Sequence, residues 1–172
     1  MLEIVWHGRG GQGAFTAARL LGAAYTLQEG RYALAFPSFG PERRGAPMRA
    51  FTKLDERPIS ARSETESAGI TVYLDATLYA ESAPRAGGVI LINTPGPVPG
   101  AVTVDAGALA DGLGIPTPNT VMLGALTALL AAPALDEIER AIDLYMPPRL
   151  RARNKEAARA AFHTVRGGTA RA

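Results

Sequence analysis

Seven residues near the start of the chain, His7–Gly13, hold four glycines between an apolar run and a helical pattern. The apolar run, Leu2–Trp6, is typical of a buried strand, and the helical pattern begins at Ala14. Because glycine tolerates positive φ and has no Cβ, such a turn lets backbone N–H groups approach a ligand closely. The positive end of the following helix points at the same place. The stretch therefore predicts a cradle for phosphate or another anion within an α/β fold.

The composition indicates one soluble globular domain. The 172 residues are 47% hydrophobic and 20% charged, which suits one buried core and is too apolar for a disordered chain. The net charge of +2 is too small to predict nucleic-acid binding without a basic stripe. No apolar run reaches membrane length and no basic n-region precedes an apolar stretch, so we expect a cytoplasmic protein.

The chain has no cysteine. It therefore cannot by itself build a disulfide, a thiolate zinc site or a cysteine-ligated iron–sulfur cluster. No Ser/His/Asp order, His-x-x-x-His pair or carboxylate pair stands out in the sequence either. We predict no catalytic set and no metal site in this chain.

The apolar pattern predicts a single three-layer α/β domain over residues 1–165, followed by a frayed tail at 166–172. A short strand at Arg31–Phe36 follows the first helix and makes a Rossmann-like βαβ start, with the first pair of strands parallel. The alternating side chains of Met48–Leu54 predict a half-buried strand, and another short strand is predicted at Ile59–Arg62. Together these two strands predict an antiparallel ribbon at the edge of a mostly parallel sheet. The other predicted strands are Ile70–Leu74, Val89–Ile92 and Val102–Val104, and the predicted helices are Ala14–Gln28, Ala76–Ala83, a helix through Leu113 capped by Asp105, Thr120–Ala131, Leu135–Tyr145 and Arg149–Val165. The helix Thr120–Ala131 is apolar almost all round, which predicts that it is buried. The last helix, Arg149–Val165, is predicted to be a basic surface helix.

The glycine turn fits G-x-G-x-x-G at Gly8, Gly10 and Gly13. A dinucleotide site would also need an acidic residue at the end of the second strand, and none is present near Phe36–Pro37. The turn is not a Walker A loop, because Ala14 stands where that motif has lysine. Two interpretations stay open: a phosphate cradle, and a tight turn whose glycines serve only close packing.

A second loop, Pro37–Pro47, contains three prolines and two glycines, which exclude regular structure. Its two adjacent arginines are expected to clamp an anionic ligand or to pair with a carboxylate across a subunit interface. A solvated surface loop is the alternative. The residues of this candidate interface or substrate-side loop are Ser38, Phe39, Glu42, Arg43 and Arg44.

Four single residues are further candidates. His7 is either a general base or a hydrogen-bonded histidine at a strand end. Asp75 and Asn93 end their strands, where they either serve the ligand-facing rim of the sheet or cap turns. Arg19, on the first helix, is either a phosphate contact or an ordinary surface arginine.

Three stretches resemble, in the same order, the gamma family of 2-oxoacid:ferredoxin oxidoreductases, in particular the pyruvate:ferredoxin oxidoreductase branch. They are Gly8–Gly13, Ala35–Pro47 and Pro118–Ala125, and the resemblance runs from Met1 to about Val165. The proline–arginine loop is its most specific part.

The resemblance implies a function that the composition of the chain does not predict. Enzymes of this family decarboxylate a 2-oxoacid on thiamine diphosphate, pass electrons through iron–sulfur clusters to ferredoxin, and transfer the acyl group to coenzyme A. Thiamine diphosphate, magnesium and the clusters belong to the partner subunits alpha, beta and delta. The resemblance implies a noncatalytic gamma subunit that assists assembly and binds coenzyme A, with pyruvate the favoured substrate of the complex. The residues implied in coenzyme A binding are Gly8, Gly10, Gly11, Gln12, Gly13 and Arg19.

Two other classes of function remain as alternatives at this point. A free-standing nucleotide-binding protein or dehydrogenase would use the glycine turn for a dinucleotide. A purely structural subunit would use the arginine loop for docking and the glycine turn for packing. When isolated, the chain is a candidate homodimer.

Overall fold

The computed structural model describes residues 1–38, 44–64, 67–81 and 88–169. Its strands are β1 (Leu2–Arg9), β2 (Tyr32–Ser38), β3 (Pro47–Asp55), β4 (Ile70–Tyr73), β5 (Val89–Asn93) and β6 (Val102–Val104). Its helices are α1 (Ala14–Tyr25), α2 (Ala76–Glu81), α3 (Ala106–Gly112), α4 (Asn119–Thr127), α5 (Leu135–Tyr145) and α6 (Pro148–Thr169).

All six of these strands form one sheet in the order β2-β3-β1-β4-β5-β6. Strands β1, β4, β5 and β6 are parallel, whereas β3 is antiparallel to both β1 and β2. β1 and β2 therefore run in the same direction, as the βαβ prediction requires, but β3 lies between them and they do not pair. The mostly parallel sheet with an antiparallel edge is confirmed.

The two faces of the sheet are covered very unequally. Ile4 and Trp6 of β1 belong to the main core, to which α1, α3, α4, α5 and α6 all contribute. Val5 points to the opposite face, where it packs with Phe51 of β3. Helix α2 covers that second face through Leu78. Helices thus lie on both sides of the sheet, with most of the buried apolar side chains on the α1 side.

The edge ribbon consists of β2 and β3, and the strand predicted at Ile59–Arg62 is wrong. Ile59 is the one β-branched apolar residue in that segment. Most of the segment is exposed, and it pairs with no strand in the described residues. The irregular loop is also shorter than predicted, because Pro37 and Ser38 belong to β2 and Pro47 begins β3. A proline is tolerated in β2 because that strand lies at the edge of the sheet.

Within the described residues the helices follow the prediction in number and type, with shifted ends. α1 ends at Tyr25 and α4 at Thr127, each a few residues early, while the predicted α5 is reproduced. α4 is buried along its whole length, as its apolar sequence predicts.

Helix α6 is more than a basic surface helix and extends into the predicted frayed tail, as far as Thr169. One face of it packs so closely on α4 that a Cβ on Gly124 would collide with the carbonyl oxygen of Ala158. Small residues on both helices permit this approach. No helix in the described ranges is both long and apolar enough to span a bilayer.

Candidate functional site

The glycine turn between β1 and α1 holds two residues in the left-handed region. Gly11 and Gly13 have φ angles of +97° and +81°, which residues with a side chain rarely adopt. Gly13 is also the N-cap of α1, and among the described residues no side chain caps this helix and no acid lies in its first turn. The first-turn N–H groups of α1 therefore lack a capping side chain, an arrangement that suits an anion.

Packing disfavours a side chain at two glycines of the turn, Gly8 and Gly13. A Cβ on Gly8 would lie 3.1 Å from the Cβ of Ala14, which is tighter than ordinary contact. A Cβ on Gly13 would lie 2.5 Å from Nδ2 of Asn119, the first residue of α4. The N-termini of α1 and α4 therefore meet at the turn, and the positive ends of both helices converge there.

Gly11 has a different environment. It is exposed, and among the described residues a Cβ there would meet only the side chain of Arg44, at 3.9 Å from Cγ and 4.0 Å from Nε. Arg44 is itself exposed, and no acid among the described residues pairs with its guanidinium. Gly11 thus presents an open backbone beside a cation.

Backbone hydrogen bonds join the glycine turn to the arginine loop. The N–H of Gly10 donates to the carbonyl of Ala46 at 2.9 Å, and the N–H of Gly45 donates to the carbonyl of Gly10 at 3.0 Å. These bonds fix the position of Arg44 beside Gly11. Two stretches that stand apart as separate candidates in the sequence therefore form one surface.

A charged cluster braces the turn from the end of β4. Nε of Arg9 lies 3.1 Å from Oδ2 of Asp75, and Nη2 of Arg9 donates to the hydroxyl of Thr77 at 2.7 Å. Gln12 closes the cluster, because its Oε1 accepts from the Arg9 N–H at 2.7 Å and its Nε2 lies 3.4 Å from Oδ2 of Asp75. Burial opposes ionisation of Asp75, but hydrogen bonds from Thr77 and the charge of Arg9 outweigh it and lower the pKa of the carboxyl. Asp75 therefore remains charged and holds Arg9 and Gln12 in place.

A family model described as pyruvate ferredoxin/flavodoxin oxidoreductase matches residues 3–164. The chain belongs to this family. The resemblance inferred from the three sequence stretches is thereby confirmed.

Relatives in the pyruvate ferredoxin/flavodoxin oxidoreductase family match along nearly the whole chain. The pyruvate synthase subunit PorC of Methanothermobacter marburgensis is 39% identical and covers 96% of this chain and 98% of its own length. The pyruvate/ketoisovalerate oxidoreductases common subunit gamma of Thermococcus kodakarensis is 37% identical and covers 95% of this chain and 96% of its own. These relatives are subunits of 2-oxoacid oxidoreductases.

Solved structures show the same fold. The pyruvate oxidoreductase subunit PORC of Thermotoga maritima has a TM-score of 0.78 at 33% identity, covering 94% of this chain and 95% of that one. A 2-oxoglutarate:ferredoxin oxidoreductase from Magnetococcus marinus, solved with 2-oxoglutarate, coenzyme A and succinyl-CoA bound, has a TM-score of 0.80 at 18% identity. It matches 96% of this chain but only 31% of that longer chain, and at this identity the likeness shows the fold alone.

In this member of the oxidoreductase family, His7 stacks on an aromatic ring at the end of β1. Its ring centroid lies 4.6 Å from that of Tyr73, with 16° between the planes. Burial and the nearby charge of Arg49 lower the pKa of His7 from 6.5 to about 4. The imidazole is therefore neutral at physiological pH, and its pKa is poorly matched to general-base work there.

Asn93 caps a helix. Its Oδ1 accepts hydrogen bonds from the N–H groups of Ala106 and Gly107, at 2.9 and 3.2 Å, at the start of α3. Its Nδ2 donates to the carbonyl of Leu74 at 2.9 Å. These bonds use both ends of the amide, so Asn93 joins β4 to α3 rather than facing a ligand.

The remaining predicted residues lie apart from the turn or outside the described residues. Ser38 donates to Oε1 of Glu64 at 2.6 Å, on the same carboxylate that Arg49 binds at 2.7 Å. Arg19 is exposed, and its guanidinium lies 5.7 Å from the ring centroid of Phe15. Phe39, Glu42 and Arg43 fall outside the described residues.

Sequence reasoning missed the contact of Asn119 with the glycine turn, and it placed Asp75 at the rim of the sheet without predicting its pairing with Arg9. Asn119 stands out in the sequence only as part of a resembling stretch, and its contact with Gly13 depends on how α4 folds back across the domain. The pairing of Arg9 with Asp75 has a local signal, since Arg9 ends β1 and Asp75 closely follows the neighbouring parallel strand β4. Among the described residues there is no cluster of acids and histidines able to hold a metal ion.

Proposed function

We propose that the chain is the gamma subunit of a thiamine diphosphate-dependent pyruvate:ferredoxin oxidoreductase. In this proposal it assembles with alpha, beta and delta subunits, which carry thiamine diphosphate, magnesium and the iron–sulfur clusters, and the complex reduces ferredoxin. The whole-length match to PorC subunits supports this role. The absence of cysteine supports the division of labour, because this chain has no ligands for an iron–sulfur cluster.

Within that complex we propose that the glycine turn contacts the phosphates of coenzyme A. The observation that carries this proposal is the open backbone of Gly11, which lies between an uncapped helix N-terminus and the Arg44 side chain. Backbone N–H groups and a guanidinium are the groups that bind phosphate oxygens. The left-handed φ of Gly11 itself serves the turn that the Gln12 N–H closes on the carbonyl of Arg9 at 3.0 Å, so the proposal depends on the open backbone beside Arg44 and not on that angle. Gln12 holds the turn through Arg9, and Arg19 is the outlying member of the proposed contact set.

The experiment is a measurement of the Michaelis constant for coenzyme A in pyruvate-driven dye reduction by the assembled complex. We expect Gly11→Val to raise this constant about tenfold, equivalent to ~1.4 kcal/mol of lost binding. Gly30→Val is the matched control, because Gly30 also has positive φ (+78°) and open space around it, but lies in the turn after α1. An unchanged constant in Gly11→Val would leave only a packing role for the turn.

Assembly is tested separately from coenzyme A binding. A complex purified without this chain is expected to lose pyruvate-driven activity or its saturation by coenzyme A. Equal activity and equal saturation without the chain would contradict the gamma-subunit role. Under the purely structural alternative, we expect Arg44→Ala to prevent assembly of the complex, and Gly11→Val to leave the Michaelis constant for coenzyme A unchanged.

The free-standing dehydrogenase has no support from the fold or the relatives. In a dinucleotide site the second strand lies beside the first and brings an acid to the ribose. Here β3 separates β1 from β2, and β2 ends at Ser38. Titration of the isolated chain with NAD(H) and FAD is expected to show no submillimolar binding.

A further inference from the structure

The two carboxylate oxygens of Asp75 bind two different parts of the chain. Oδ1 accepts hydrogen bonds from the N–H and the hydroxyl of Thr77, at 3.0 and 2.6 Å, in the first turn of α2. Oδ2 faces the glycine turn, 3.1 Å from Nε of Arg9 and 3.4 Å from Nε2 of Gln12. A single side chain therefore ties the glycine turn to the start of α2.

Hydrogen bonds inside the glycine turn decide which of its amides remain available. The N–H groups of Arg9, Gly10 and Gln12 all donate, to the Gln12 side chain, to the arginine loop and to the Arg9 carbonyl. The N–H groups of Gly11 and Gly13 bond to no described residue. An anion at the turn would therefore meet the N–H of Gly11, whose direction is set by the bonded residues on either side of it.

We propose that Asp75 is a positioning residue for coenzyme A. By holding the side chains of Arg9 and Gln12, it keeps the turn in the conformation that presents the Gly11 N–H to a phosphate. The negative charge of Asp75 opposes direct contact with a phosphate, so it acts on the ligand through the turn. The inference rests on the proposed contact between the glycine turn and coenzyme A, and it adds a residue outside that contact set.

Asp75→Asn is the sharpest test. An amide that keeps its oxygen on Thr77 turns an NH₂ group toward Arg9 and Gln12, which are themselves donors there. In pyruvate-driven dye reduction by the assembled complex, we expect the Michaelis constant for coenzyme A to rise about fivefold with kcat nearly unchanged. A merely structural role would reduce the amount of assembled complex, and hence the apparent kcat, without moving this constant.

Asp105→Asn is the matched control. Asp105 also follows a parallel strand, β6, and its side chain caps α3 by accepting from the N–H of Ala108 at 2.9 Å. No described residue of the glycine turn bonds to it. We expect this variant to leave the Michaelis constant for coenzyme A unchanged.

A second measurement needs no turnover. In the assembled complex without coenzyme A, hydrogen exchange of the peptide that spans residues 8–13 should be about fivefold faster in Asp75→Asn than in wild type. The same peptide should exchange at the wild-type rate in Asp105→Asn. Equal rates in Asp75→Asn and wild type would mean that the carboxylate does not hold the turn, and the proposal would be overturned.

A double-mutant cycle tests whether Asp75 acts through Gln12. Gln12→Met removes both polar ends of the Gln12 side chain and keeps its length. If the two residues act together, the double variant should raise the Michaelis constant by clearly less than the product of the two single effects. An effect equal to that product would contradict the positioning role.

The result for Gly11→Val separates this proposal from the proposed function. If Gly11→Val raises the Michaelis constant for coenzyme A and Asp75→Asn does not, the positioning role is overturned while the contact at the turn stands. If neither variant changes the constant, the contact and the positioning role are both wrong. A loss of kcat alone in Asp75→Asn would assign Asp75 to folding or assembly instead.

Discussion

Asn119 lies so close to Gly13 that a Cβ on the glycine would come within 2.5 Å of the amide nitrogen. The asparagine has little freedom to move away, because its Oδ1 accepts from the N–H of Thr120 and the hydroxyl of Thr117, both at 2.9 Å. This contact fixes the start of α1 against the start of α4. The glycine turn is therefore held by a residue that is more than a hundred positions away in the chain.

Gly13→Ala should destabilise the protein by about 2 kcal/mol or more, because it adds left-handed strain to a collision with Asn119. The measurement is the free energy of unfolding of the purified chain in urea. Gly30→Ala is the control, since Gly30 has φ of +78° and a Cβ there would have nothing within 4 Å, so the change should cost only ~1 kcal/mol. Equal losses in the two variants would mean that the Asn119 contact contributes nothing.

The sequence predicted local features and missed what depends on distant pairing. The strand-to-helix turn at Gly8–Gly13 has a local cause in glycine and hydrophobic periodicity, so its location was predictable. The insertion of β3 between β1 and β2 was not, because a βαβ pattern fixes the direction of its two strands but not their neighbours. In the same way, no local pattern brings Asn119 to Gly13 or Arg44 to Gly11; both contacts follow from how separate elements fold together.

His7 should make stability depend on pH between about 6.5 and 4. The folded state holds the neutral imidazole, with a pKa of about 4, whereas the unfolded chain takes up a proton near pH 6.5. Acid therefore favours unfolding across this window, by up to about 3 kcal/mol at its lower end, and the stabilisation returns as pH rises. Urea unfolding of His7→Phe, which keeps a ring against Tyr73 but cannot titrate, should lose this part of the pH dependence. An NMR titration giving His7 a pKa near 6.5 would contradict the prediction.

Arg31 and Glu137 form a partly buried ion pair between the turn after α1 and the start of α5. Nη1 of Arg31 lies 3.7 Å from Oε2 of Glu137, whose side chain is only 5% exposed. Arg31→Met should cost about 2 kcal/mol, because it removes the nearby cation from a buried carboxylate that keeps one hydrogen bond, from the N–H of Ala134 at 2.7 Å. Arg159→Met is the control, since Arg159 is itself 51% exposed and the loss there should be under about 1 kcal/mol. Similar losses in the two variants, measured by urea unfolding, would argue against a buried charge at Glu137.

Gly124 sets the distance between α4 and α6, and replacing it should be among the most damaging small substitutions in the chain. A Cβ at this position would overlap the backbone of Ala158, which cannot rotate away as a side chain would. We expect Gly124→Ala to lower the free energy of unfolding by about 3 kcal/mol, as overpacking does when backbone must move. Gly112→Ala on α3 is the matched control: it is also a helical glycine, but nothing lies within 4 Å of its Cβ position, so the change should be neutral or stabilising by up to about 1 kcal/mol. If Gly124→Ala unfolds at the same urea concentration as wild type, α4 and α6 can move apart at little cost and Gly124 does not set their distance.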